Sequence, residues 1–169
     1  MKYALANTFL FLISFSCTAQ DGTLSNRNCL FFDVAVKGAL YSINYERVFS
    51  PGSKLKKSYR VGAGIFNNTI ALPLGISVFK GKTPHYMDAS LLFTPVLEQY
   101  RSLFNGKNSS DKKAYIMPGV GYRYQPLSTK FFARVTAGPV LLIDPPSDNF
   151  WHMKANWYAG LNIAAGIRW

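Results

Sequence analysis

The stretch Trp157–Trp169 reads WYAGLNIAAGIRW. Its odd positions, Trp157, Ala159, Leu161, Ile163, Ala165, Ile167 and Trp169, form a wholly apolar row. Its even positions, Tyr158, Gly160, Asn162, Ala164, Gly166 and Arg168, carry the glycines, an amide and a cation. Alternation of this kind has the period of a β-strand, whose successive side chains leave opposite faces. The fold turns on which of the two faces points inward.

The same period runs back through the chain as far as residue 31. We read eight strands, over roughly 31–37, 39–49, 58–66, 69–80, 85–94, 114–125, 130–142 and 156–169. Turn residues separate them. Lys37-Gly38 and Asn67-Asn68 suit tight hairpins, and Ser50-Pro51-Gly52, Lys80-Gly81-Lys82 and Gln125-Pro126 suit short turns. Two connections are longer, 95–113 and 143–155. Each strand splits by parity. In the fourth, Ile70, Leu72, Leu74, Ile76 and Val78 oppose Ala71, Pro73, Gly75, Ser77 and Phe79. In the sixth, Ile116, Pro118, Val120, Tyr122 and Tyr124 oppose Met117, Gly119, Gly121, Arg123 and Gln125.

The glycines decide the direction. Gly62, Gly64, Gly75, Gly119, Gly121, Gly138, Gly160 and Gly166 all share the polar parity. Glycine weakens a strand unless room is short, and room is short inside a small closed barrel. The glycine-and-charge face is therefore expected inside and the apolar face outside, the reverse of a soluble protein. An apolar exterior needs lipid. An open sheet edge in lipid would strand backbone groups, so the sheet must close. The expected fold is all-β: an eight-stranded antiparallel up-and-down transmembrane β-barrel. Pro73, Pro118 and Pro139 each remove a ladder donor and are expected at bulges.

Aromatic residues supply an independent check. With the strands running alternately from a periplasmic start, the outward Tyr45, Phe49, Tyr59, Tyr122, Tyr124, Phe131 and Trp169 fall at the periplasmic end. Tyr41, Phe93 and Trp157 fall at the other. Two such girdles mark the interfaces of a membrane barrel.

Residues 1–20 read as a cleaved signal peptide: Lys2, the apolar run Thr8–Phe15, then Cys17 and Ala19 in a small-x-small pattern. A lipoprotein reading of Cys17 is the weaker one, because Ser14 stands where such signals carry Leu. The barrel domain then covers 21–169 and keeps one cysteine, Cys29, so no internal disulfide is expected. Past the signal no apolar run is long enough for a membrane helix. The net charge of +11 falls to +10 without Lys2. A basic exported chain can meet anionic head groups, lipopolysaccharide or nucleic acid. The cations are scattered through KLKK (Lys54–Lys57), KGK (Lys80–Lys82) and DKK (Asp111–Lys113) and read as solvated turns. No nucleic-acid signature is present.

Seven inward residues, Asp33, Glu46, Arg60, Asp88, Arg123, Arg134 and Arg168, are expected to form an interior polar network. An eight-stranded barrel is just wide enough to be filled by its own side chains, so the network reads as a plug, with a narrow pore or proton path as the functional alternative. Phe150, Trp151 and His152 lie in the last long connection and are outer-loop binding candidates. His152 with Ser147, Asp148 and Asp144 has the residue types of a lipid-hydrolase site, but no catalytic motif accompanies them. Neither a metal-ligand cluster nor a phosphate loop is present, and no cofactor is expected.

YSINYERVF (Tyr41–Phe49), ALPLGISVFKGK (Ala71–Lys82), GYRYQP (Gly121–Pro126) and the aromatic last residue resemble the small outer-membrane β-barrel proteins of Gram-negative bacteria. The resemblance spans nearly the whole mature chain. It implies an outer-membrane location and assembly by the barrel-insertion machinery, which reads a terminal strand ending in an aromatic. Trp169 stands where Phe is commoner. The expected role is structural or adhesive, by a non-enzymatic monomer in contact with outer-membrane lipid and lipopolysaccharide. Two alternatives stay open: an outer-membrane lipid-modifying barrel enzyme, and a soluble periplasmic lipid-binding barrel with an apolar interior.

Overall fold

The computed structural model describes residues 26–37, 40–66, 69–98, 112–144 and 154–169. The expected signal segment lies outside them. The strands are β1 (Asn28–Ala35), β2 (Tyr41–Val48), β3 (Lys56–Phe66), β4 (Thr69–Ala71), β5 (Leu74–Lys82), β6 (His85–Glu98), β7 (Lys112–Tyr124), β8 (Phe131–Asp144) and β9 (Lys154–Arg168). All pairings are antiparallel, and β1 pairs with both β2 and β9, so the sheet closes on itself.

β4 and β5 are two pieces of one stave. Both pair with β3 and with β6, in an unbroken register on each side. Pro73 interrupts the stave because it has no N–H to give. Its carbonyl still accepts from the Gly62 N–H at 2.8 Å, and the Leu72 N–H still reaches the Pro95 carbonyl at 3.0 Å. The barrel thus has eight staves, as alternation predicts. The expected bulges are absent. Pro118 and Pro139 fall opposite each other in the β7–β8 register, and the ladder lapses between Ile116 and Val120 without a shift in pairing.

Two turns differ from expectation. The strand runs through Lys80-Gly81-Lys82, and the chain reverses at Thr83-Pro84 through a cis peptide, because Lys82 still pairs with His85. β6 also continues past 94 to Glu98, and Leu97 still pairs with Lys112.

The register fixes the shape. From Ile167 the outward row passes to Leu30, Tyr45, Val61, Leu74, Phe93, Ile116, Leu141 and back to β9 at Trp157, ten residues away. A shear of ten over eight staves tilts the strands by about 40° and gives a radius of about 8 Å. Only side chains fit inside such a tube.

Burial follows the parity argument. On β1, Phe31, Asp33 and Ala35 are buried while Leu30, Phe32 and Val34 are exposed. On β9, Asn162, Ala164 and Arg168 are buried while Ile163 and Ile167 are more than half exposed. The glycines sit where a side chain would strike the next strand. A Cβ on Gly119 would lie 2.7 Å from Thr136 Cγ2, and one on Gly121 would run into the Val135 carbonyl.

One end of the barrel carries both ends of the sheet's outermost chain segments and the connections 49–55, 83–84 and 125–130. We call it the terminal end. The opposite, loop end carries the connections after β1, β3, β6 and β8.

Candidate functional site

The inward parity of β2, β6, β7 and β8 brings two carboxylates and two guanidinium groups to the barrel axis. Arg123 on β7 and Arg134 on β8 are direct register partners. Two cations so placed repel each other unless something intervenes. Glu46 intervenes from the far wall. Its Oε1 accepts from Arg123 Nη1 at 2.5 Å and its Oε2 from Arg134 Nη1 at 2.9 Å. Arg123 Nε also donates to Asp88 Oδ2 at 2.7 Å, and Nη2 to Ser77 Oγ at 3.2 Å. The Ser77 hydroxyl in turn meets Ser58 Oγ at 2.8 Å.

Flat aromatic rings frame the cations. The Arg123 guanidinium carbon lies 4.1 Å from the Phe79 ring centre and 5.4 Å from that of Phe132. Arg134 lies 5.0 Å from Phe31 and 5.7 Å from Phe132. These are cation–π distances. Glu46, Arg123, Phe31, Phe79 and Phe132 are all essentially out of solvent. A closed, plugged barrel is the result. Gly75 leaves the room that Arg60 occupies, with the Arg60 Cγ 3.1 Å from where a Cβ would stand.

The seven sequence-predicted interior residues do not form one network. Asp88, Arg123, Glu46 and Arg134 make a four-membered cluster. Asp33 and Arg60 make a separate pair at 3.0 Å. Glu46 and Arg60 are register partners on β2 and β3, yet each side chain turns to a different wall. Arg168 joins neither. It is buried, but its donors go to backbone carbonyls of the turn after β7 and of the first residue of β8: Nε to Phe131 at 3.3 Å, and Nη2 to Thr129 at 3.1 Å and to Pro126. Its place in the carboxylate network is therefore a correction. The short reach from β9 to that turn satisfies the guanidinium before any acid can. Among the described residues five buried atoms, Asp33 Oδ1, Asn44 Oδ1, Asp88 Oδ1, Gln125 Oε1 and Arg134 Nη2, have no hydrogen-bond partner.

Ser58, Ser77, Phe31, Phe79 and Phe132 belong to this site but are not among the residues expected in the network, although Ser77, Phe79 and Phe132 share its inward parity. Their inward parity was the available signal, since a large ring among glycines and serines inside a narrow tube must face something planar.

The seven girdle residues lie at the terminal end, on the outward face. Trp169 exchanges backbone hydrogen bonds with Asn28 at 3.0 Å, and its ring leans on Tyr45 at 6.4 Å. Phe49 stacks on Tyr59 at 6.5 Å, and Tyr124 meets Phe131 at 6.3 Å. His85 Nδ1 contacts the Tyr122 hydroxyl on the same rim. At the loop end Tyr41 touches Phe32 and Phe66. Phe150, Trp151 and His152 lie outside the described residues, as do Ser147 and Asp148.

Among the solved structures, the chain is similar to the N-terminal β-barrel domain of Pseudomonas aeruginosa OprF. Identity is 16%, the TM-score is 0.46, and the match covers 88% of this chain and 100% of that one. No family model and no curated protein matches the chain.

The interior chemistry is that of buried ion pairs. Among the described residues no group of three or more His, Cys, Asp or Glu side chains is placed to hold a metal. Cys29 is buried against the Phe31–Phe132 cluster. The described interior is occupied by ion pairs and by the aromatic rings packed on them.

Proposed function

We propose that this chain is an integral outer-membrane β-barrel protein with a side-chain-filled interior. On this reading it acts as a structural element or through binding by its loop-end connections. One observation carries the reading: a closed barrel whose exterior is apolar and whose axis is occupied by ion pairs. Leu30, Phe32, Ile43, Val61, Ile76, Val120 and Ile163 are all exposed. An exterior of this kind is stable only against lipid. Along β9 the apolar row runs from Trp157 to Ile167. At a tilt of about 40° it rises about 25 Å, the height of the apolar band in such barrels.

The terminal end would face the periplasm and the loop end the cell exterior, because short turns and long connections divide that way in such barrels. Trp169, paired at the rim, would be the signal read by the insertion machinery. The protein would work as a monomer without enzymatic activity. The test is gel migration of the isolated outer-membrane fraction with and without boiling. A folded barrel migrates faster unboiled. A soluble periplasmic protein with no mobility shift would end the reading.

A further inference from the structure

The two basic runs KLKK and KGK, 26 residues apart at Lys54 and Lys80, are not separate turns. The β3–β5 register brings them together, with Lys57 opposite Val78 and Lys56 opposite Phe79. Lys56 turns inward and is buried, its ammonium 5.5 Å from the Tyr86 ring centre. Arg47, Lys57, Lys80 and Lys82 point outward and are exposed, and Lys54 is exposed in the connection below them. Arg47 is the register partner of Tyr59, beside Lys57, and Lys82 that of His85. The outward row of each of β2, β3 and β5 is therefore apolar until it reaches the terminal rim, where it ends on a cation. The stacked Phe49 and Tyr59 rings lie among these cations.

Among the described residues no carboxylate side chain answers them. The described acids are Asp33, Glu46 and Asp88, which are buried inside, and Glu98 and Asp144, which are at the loop end. The loop end mixes signs, with Asp144 opposite Lys154. The terminal end shows one sign on one side of the barrel. Cations set immediately beyond an apolar band and among interfacial aromatics stand at the depth of lipid phosphates.

We propose that Arg47, Lys54, Lys57, Lys80 and Lys82 form a binding surface for anionic phospholipid head groups. The lipid belongs to the leaflet at the terminal end, and its phosphodiester is the group held. The proposal rests on the membrane reading above. Aromatic anchors fix the depth, and the cations select which lipids gather on the β2–β3–β5 side.

The test uses the whole protein reconstituted in phosphatidylcholine bilayers with spin-labelled phosphatidylglycerol or phosphatidylcholine as probe. The native chain should favour the anionic probe by at least about threefold at low salt and lose the preference at high salt. Replacing Arg47, Lys57, Lys80 and Lys82 by Gln should abolish the preference, whereas Lys→Arg at the last three positions should keep it. A native chain that inserts with no preference, or a Gln variant that retains it, overturns the proposal. Displacement of the probe by inorganic phosphate at constant ionic strength would identify a soluble-anion site and also overturn it. A chain that never enters the bilayer overturns the membrane reading, a result distinguishable from insertion without selectivity.

Discussion

Arg123 faces Arg134 directly across the β7–β8 ladder, and the two are held together by one carboxylate, Glu46, from the opposite wall. Neutralising that carboxylate leaves two buried cations side by side. Glu46→Gln should lower the unfolding free energy by about 3–5 kcal/mol, the cost of stranding a buried charge. Urea unfolding followed by gel mobility reads the effect. An unchanged midpoint would remove the claim that the plug is ion-paired.

The separation into a four-membered cluster and a two-membered pair has its own consequence. Glu46 and Asp88 share Arg123, so Glu46→Gln and Asp88→Asn should be non-additive by about 0.5–3 kcal/mol. Asp33 acts through Arg60, and Asp33→Asn should add to Glu46→Gln within about 0.5 kcal/mol. Double-mutant cycles on the same unfolding assay decide it. Strong coupling of Asp33 to Glu46 would mean one continuous network.

Arg168 holds the turn at 126–131 rather than the plug. Arg168→Met should therefore speed amide exchange in that turn while leaving the amides around Arg123 protected. Loss of protection at both places would put Arg168 back in the central cluster.

Much of this was legible from parity alone. The glycines on the polar face gave the direction of five staves, β3, β4–β5, β7, β8 and β9, the charged residues on the same parity gave that of β1, β2 and β6, and a closed tube follows once the apolar face is outside. Pairing across the barrel was not legible. Glu46 and Arg123 lie 77 residues apart, and which inward residues meet depends on a shear of ten that no single strand records. Pro73 illustrates a second limit. Its missing N–H splits the ladder, but whether a bulge follows depends on neighbours that keep the register, here Gly62 and Pro95. The KGK run was misread as a turn because its glycine and lysines have turn composition. Gly81 is instead a strand residue packed against the His85 and Tyr86 backbone.

Direction also predicts opposite outcomes for neighbouring positions on β9. A Cβ on Gly166 would meet Phe31 Cα at 2.5 Å, backbone that cannot swing aside. Gly166→Ala should cost about 1–3 kcal/mol through overpacking. Ala165→Val points outward and should fold as well as the native chain. Folding yield into lipid vesicles compares them, and equal yields for both would contradict the tight interior.

The most direct test of the account is a nitroxide scan of single cysteines from 157 to 167, in a chain with no other cysteine, reconstituted in bilayers. Leu161, Ile163 and Ala165 should be open to dissolved oxygen and closed to a water-soluble nickel complex. Gly160, Asn162 and Ala164 should be closed to both. Odd positions open to the aqueous reagent, or no alternation at all, would contradict a barrel whose apolar face meets lipid.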